Sequence, residues 1–337
     1  LVGLTVSKAN ATATTHAVGI DGGEDDDTIV NESDGLIDIL ATADTYASGV
    51  AITVAGAGAT EARTAPIASA EGLQGGGGND AVTNDGSITV MTRSKSYASS
   101  TSVTVFGDSA ARAGTEVETR ATGIAGGLGN DTIVNTGALQ VGPADDAADE
   151  ARYMSVLEAN SFTAGFAGSG DAQSGAYAET SSTGINGDEG DDSVANSGDV
   201  DVFASAQSKA IASSMSVFGG GDAGAKSGAF TTATGFAGGL GDDTLRNEET
   251  GTVDVRAETN TFANAASYSF AGGGDTSAQL AGDSTAVGFS GGAGVDVLSN
   301  QGILNVTAHA DLTSKGGTRA TFDGGTTYST TKTAAVA

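Results

Sequence analysis

The chain has no cysteine and no tryptophan, and only two prolines, in 337 residues. Without cysteine there are no disulfides and no thiol nucleophile, and redox chemistry says nothing about the compartment. Aromatic residues make up 5% of the chain, and alanine is the largest component of its 38% apolar fraction. Large side chains are therefore too few for a thick core, and the interior is expected to be thin and filled by small residues. Bases are scarce as well. Fourteen Lys and Arg face 42 Asp and Glu, for a net charge of −28. That balance excludes nucleic acid, whose binding requires clustered bases, and disfavours anionic lipid. No run approaches the roughly 18 apolar residues of a membrane helix, so no membrane insertion is expected. The chain opens on Leu1 rather than methionine. It is read as a segment of a longer repetitive protein, and the lack of a signal peptide carries no weight against export.

What is abundant is glycine, with 53 residues, arranged as repeats. One acidic loop recurs as GGEDDDTIVN, GGGGNDAVTN, GGLGNDTIVN, GDEGDDSVAN, GGLGDDTLRN and GGAGVDVLSN. Its last acid falls on Asp27, Asp80, Asp131, Asp192, Asp243 and Asp296, at spacings of 53, 51, 61, 51 and 53 residues. The long interval contains the acid-rich stretch GPADDAADEARY, read as a surface loop pushed out of one repeat. Each loop is preceded by an apolar residue (Ile20, Leu73, Ile124, Ile185, Phe236, Phe289) and followed by another (Ile29, Val82, Ile133, Val194, Leu245, Leu298). An asparagine comes next in every copy, at Asn31, Asn84, Asn135, Asn196, Asn247 and Asn300. A turn glycine closes each (Gly35, Gly86, Gly137, Gly198, Gly251, Gly302). A second landmark in mid-repeat is a phenylalanine before a glycine-rich corner, at Phe106, Phe166, Phe218, Phe270 and Phe322, with a corner acid at Asp108, Asp171, Asp222 and Asp275.

Between corners the pattern alternates with period two, as in SITVMT and TSVTVFG, and no helical stripe is present. Strands cornered by glycine at a fixed long period predict an all-β fold, a β-solenoid of about six repeats, with one coil per repeat or, as the alternative, two or three narrower ones. Residues 1–337 are read as one continuous array. Stacking identical residues predicts an asparagine side-chain ladder, a phenylalanine column inside the core, and a continuous edge of Asp loops.

Three chemistries compete for the acidic loop. A phosphate cradle requires a following helix and a lysine, and neither is present. A tight solvated corner is the structural alternative. A calcium site is the third: glycine exposes main-chain carbonyls, Asp supplies charge, and calcium takes six to eight such oxygens. The loop resembles the G-G-x-G-x-D-x-U-x nonapeptide of the RTX family of secreted bacterial proteins. The match is carried by Gly126, Gly127, Gly129, Asp131 and Ile133, and by Gly238, Gly239, Gly241, Asp243 and Leu245. It covers about ten residues per repeat and occurs once per repeat, whereas the family's nonapeptides follow in tandem.

The candidate calcium ligands are the six loop acids Asp27, Asp80, Asp131, Asp192, Asp243 and Asp296. To these are added Gly76, Gly78, Gly127, Gly129, Asp191, Gly239, Gly241, Asp242, Gly292 and Gly294. The mid-repeat acids are a weaker candidate. The two histidines, His16 and His309, lie near opposite ends in strand-like surroundings, and the carboxylates recur as ladders rather than as one unequal pair. The chain is therefore not expected to be an enzyme. The expectation is an extracellular or cell-surface structural protein, secreted by a bacterium, forming part of a fibre, surface layer, matrix or adhesin stalk. Self-association end to end or side by side is expected of it, with a cell-surface or glycan contact as a further partner. The alternative is a glycan- or ice-binding module displayed on the solenoid, and behind it a polysaccharide-modifying enzyme.

Overall fold

The computed structural model describes residues 3–144, 152–321 and, as backbone, 326–336. The first repeat runs β1 (Thr5–Glu24), β2 (Thr28–Asn31) and β3 (Leu36–Ala55). The second runs β4 (Gly58–Gly77), β5 (Ala81–Asn84) and β6 (Ser87–Phe106). The third has β7 (Ser109–Leu128), β8 (Thr132–Asn135), β9 (Ala138–Val141) and β10 (Ser155–Ala167). The fourth has β11 (Gly170–Glu189), β12 (Ser193–Asn196) and β13 (Asp199–Phe218), and the fifth β14 (Gly221–Leu240), β15 (Thr244–Asn247) and β16 (Thr252–Ala271). The sixth has β17 (Asp275–Ala293), β18 (Val297–Asn300) and β19 (Ile303–Ala320), and β20 (Thr326–Val336) follows.

Each repeat is one coil of a β-solenoid. Its first long strand lies in a sheet ordered β1-β4-β7-β11-β14-β17-β20, and its short strand in a second sheet from β2 to β18. Its last long strand lies in a third sheet, where β9 and β10 together take the place of one strand between β6 and β13. Every pairing is parallel and joins equivalent residues of successive repeats.

The small-residue interior follows from the shape of the coil. Along β6 the inward side chains run Ile88, Val90, Thr92, Ser94, Ser96, Ala98, Ser100, Ser102 and Thr104. Large apolar groups thus fill the end beside the short strand, where three sheets enclose the core. Toward the other end two sheets face each other alone, and alanine, serine and threonine fill the gap. There the hydroxyls bridge the sheets, as Thr64 Oγ1 to Ser96 Oγ at 2.5 Å and Ser161 Oγ to Ser174 Oγ at 2.8 Å. Hydrogen-bonded hydroxyls are tolerated in such an interior, whereas unpaired ones are costly.

The apolar landmarks form the expected columns. Ile20, Leu73, Ile124, Ile185, Phe236 and Phe289 are in register, the last two rings stacked at 4.7 Å. The asparagines form the expected ladder, each Nδ2 donating to the Oδ1 of the next coil at 2.7–2.8 Å from Asn31 through Asn300. The long repeat also resolves simply. Val90 pairs with Val141 and Ser94 with Ser155, so the sheet pairing leaves off at Val141 and resumes at Ser155 with its register kept. Asp145, Asp146, Asp149 and Glu150 of that insertion lie outside the described residues.

The phenylalanine landmark behaves differently from the expectation of a core column. Phe106, Phe166, Phe218 and Phe270 are half exposed. The coil turns at this point, inward-outward alternation stops, and Val105 and Phe106 both face out. Nor do the rings share one register. Phe106 and Phe218 align with Ala167, one position beyond Phe166, so the ring alternates between two adjacent sites. Phe166 and Phe218 meet edge to face at 5.5 Å. Phe322 lies outside the described residues.

Candidate functional site

The acidic loop joins each first long strand to its short strand, and its main chain turns through left-handed glycines. Gly127 has φ +111° and Gly129 φ +118°, and the equivalents Gly76, Gly78, Gly239, Gly241, Gly292 and Gly294 are left-handed too. Where Asp25 and Asp188 replace a glycine the conformation persists, with φ +73° and +77°. Asp tolerates that region better than most side chains. Stacking adds a second demand, since a Cβ on Gly127 would lie 2.1 Å from the Gly76 carbonyl oxygen. These glycines build the corner and allow coils to stack.

The loop acids form two ladders of opposite sense. In the inner one the N–H of each Asp donates to Oδ1 of the equivalent Asp in the next coil. Asp27 to Asp80 and Asp80 to Asp131 are each 2.7 Å, and Asp131 to Asp192 is 2.8 Å. Asp192 to Asp243 is 2.9 Å and Asp243 to Asp296 is 3.0 Å. In the outer ladder, one residue earlier, donation runs the other way. Asn79 N–H donates to Asp26 Oδ1, Asn130 to Asn79, Asp191 to Asn130, and Asp242 to Asp191. Asp191 and Asp242 therefore sit on the exposed rim in line with Asp26, Asn79 and Asn130, apart from the inner acids. A recurring Asn or Asp before five of the six loop acids, all but Asp296, is the signal of this outer ladder in the sequence.

The inner column is buried. Asp80, Asp131, Asp192 and Asp243 are 1–2% exposed, and Asp27 and Asp296 are half-buried at its ends. Oδ2 of Asp27, Asp80, Asp131, Asp192 and Asp243 has no hydrogen-bond partner. That oxygen lies against the first glycine of the loop. A Cβ on Gly126 would stand 2.4 Å from Asp131 Oδ2 and 2.7 Å from the Gly187 carbonyl oxygen of the next coil. The same pair of oxygens recurs at Gly22, Gly75, Gly187 and Gly238. The first glycine, absent from the ligand set expected above, thus lets the loop main chain pack closely where a carboxylate and the neighbouring coil's carbonyl meet.

Burial has the expected electrostatic consequence. Desolvation raises Asp192 to about 7 against the help of the Asp131 N–H, and Asp131, Asp243 and Asp188 add repulsion. Asp131 and Asp243 are raised as well, chiefly by desolvation. Charged groups in such a column need a neutralising partner, because burial without one costs several kcal/mol per ion. Among the described residues no three His, Cys, Asp or Glu side chains converge on one point. A cation here would take its oxygens from a carboxylate and main-chain carbonyls of successive coils, a donor set that suits calcium and not zinc.

The mid-repeat acids do not form one column. Asp171, Asp222 and Asp275 are in line, but Asp108 aligns with Ser169, whose N–H and hydroxyl it accepts. His16 and His309 are exposed on outer faces of different sheets, and His16 Nδ1 contacts Ser69 Oγ at 2.7 Å. No family model matches the chain, and no curated protein or solved structure matches it.

Proposed function

We propose that the chain is a calcium-stabilised structural solenoid of an extracellular or cell-surface assembly. The observation that carries this reading is the row of buried, unpartnered Oδ2 atoms from Asp27 to Asp243, each beside a glycine carbonyl of the next coil. Calcium bound between coils neutralises the carboxylates that burial makes costly and ties each repeat to the next. The likeness of the loop to the RTX nonapeptide and the net charge of −28 support the same reading. Calcium is plentiful outside cells, which is why an extracellular setting goes with it. The ordinary demands of such an assembly, length, regularity and repeated contacts, are met by a parallel array built from one unit.

Self-association belongs to this reading. β1, β2 and β3 are the outermost strands of their three sheets. Their free edge offers the same donors and acceptors that pair successive coils, either to a further repeat or to another copy of the chain. The experiment is thermal unfolding followed by circular dichroism, with calcium and then with EDTA. A lower midpoint in EDTA, restored by calcium and not by magnesium, is expected. Identical curves would sink the calcium reading.

A further inference from the structure

The outer face of the sheet from β1 to β17 carries a groove of about 1130 Å³. It crosses six strands, from Asn10 in β1 to Gln279 in β17, and so runs along the solenoid axis for about 24 Å at the usual strand spacing of about 4.8 Å. Gly114 and Gly175 lie at the middle of its floor, in register with Arg63 on one side and Lys226 on the other. Neither backbone nor neighbours require these glycines. They are not left-handed, a Cβ on Gly175 would meet nothing within 4 Å, and one on Gly114 only Arg63 Cγ at 3.8 Å. Glycine in a strand interior weakens the strand and commonly marks close approach by a ligand.

The walls are chemically distinct from the rest of the surface. Arg63, Arg112 and Lys226 line the groove against a single acid, Glu116, in a chain where acids outnumber bases 42 to 14. Arg63 is paired with Glu61 at 2.6 Å and Arg112 lies 3.9 Å from Asp171. Lys226 has no ion pair among the described residues. Tyr177 is 42% exposed on the wall, its ring steadied by Phe230 at 5.2 Å. Gln173 and Gln279 add amides that both donate and accept.

We propose that this groove binds an extended anionic polysaccharide lying along the solenoid axis. Bases neutralise its carboxylates, the amides bond its hydroxyls, and Tyr177 offers a flat apolar face to a sugar ring. A pyranose chain advances by nearly one coil spacing per sugar, so successive sugars meet successive coils. The glycine floor admits the rings without obstruction. None of these residues belongs to the acidic loops, and the inference stands or falls independently of calcium.

The test is fluorescence polarisation of the full chain with a labelled hyaluronan hexasaccharide, with the carboxyl-reduced hexasaccharide as control. Measurements are made at several salt concentrations, with calcium and with EDTA. Saturable binding that weakens with salt is expected, with the reduced sugar at least about tenfold weaker. The variant Arg112→Glu/Lys226→Glu should weaken binding by about tenfold or more, and Gly175→Trp should block it, both with unchanged circular dichroism. No saturable binding, equal binding of the reduced sugar, or undiminished binding by the folded groove variants would each overturn the proposal. So would binding that EDTA abolishes while the fold persists, which would place the sugar on a bound cation.

Discussion

Asp131 and Asp192 stand 61 residues apart in the chain and are joined by one hydrogen bond, from the Asp131 N–H to Asp192 Oδ1 at 2.8 Å. The other carboxylate oxygen of each is buried and without a partner. The ladder bond satisfies a loop amide that no strand pairing reaches, while the free oxygens accumulate charge inside the fold. One residue type therefore serves the fold with one atom and burdens it with the other.

Replacing Asp192 by asparagine separates those two roles. The amide oxygen of D192N still accepts the Asp131 N–H, and its Nδ2 takes the place of Oδ2 beside the Gly238 carbonyl oxygen. In EDTA the variant should be more stable than the native chain by about 1–2 kcal/mol, because a buried charge is removed. With calcium it should gain less than the native chain does. Asp192→Ala loses the acceptor too and should be destabilised in both conditions. Chemical denaturation of the three proteins with and without calcium checks this ordering.

The pH dependence follows from the same column. Asp192, Asp131 and Asp243 titrate higher in the folded state than in the unfolded chain. The folded protein then binds more protons, and stability falls as pH rises through the interval between the two states. For Asp192 that interval runs from the ordinary carboxylate range, near 3.8, to about 7. Chelated protein should therefore unfold at a lower temperature at pH 8 than at pH 5, and calcium should shrink the difference. A midpoint that rises from pH 5 to pH 8 in EDTA would contradict the assignment.

The asparagine ladder should be a purely structural element. Asn135 accepts from Asn84 and donates to Asn196, both at 2.7 Å, with its amide fully buried. Asn135→Ala leaves one donor and one acceptor unpaired and should cost about 2–4 kcal/mol. Calcium affinity should be unaffected, which denaturation and calorimetric titration on the same variant would establish.

Two glycines give a paired steric test. Gly126→Ala places a methyl group against Asp131 Oδ2, whereas Gly175→Ala places one in open space. The first should cost at least about 2 kcal/mol, as overpacking against immovable backbone does. The second should leave stability within about 0.5 kcal/mol of native or raise it slightly. Equal effects would mean that the loop has room to spare.

The contrast between Asn135 and Phe106 shows what was legible in the sequence. An asparagine that recurs once per coil stacks on itself, and its amide both donates and accepts, so period alone predicts the ladder. The columns of Ile133 and Ile124 are legible for the same reason. Phe106 was misplaced because a large apolar side chain suggests the core, whereas alternation fails at the corner and turns it outward. The slip of Asp108 against Asp171 depends on main-chain register at that corner, which residue identity does not reveal. The role of Gly126 was hidden because a missing side chain is informative only once its neighbours are placed. The ladder bonds of the loop likewise depend on which amides the strand pairing leaves free.

The most direct measurement is calorimetric titration of calcium into the EDTA-stripped and dialysed chain, with Asp131→Asn alongside. Five inter-coil contacts join the six loop acids. The account predicts saturable binding of several calcium ions, up to one per contact, and a lower stoichiometry in the variant. A folded chain that binds no calcium, or whose stoichiometry is unchanged when Asp131 loses its charge, would contradict it.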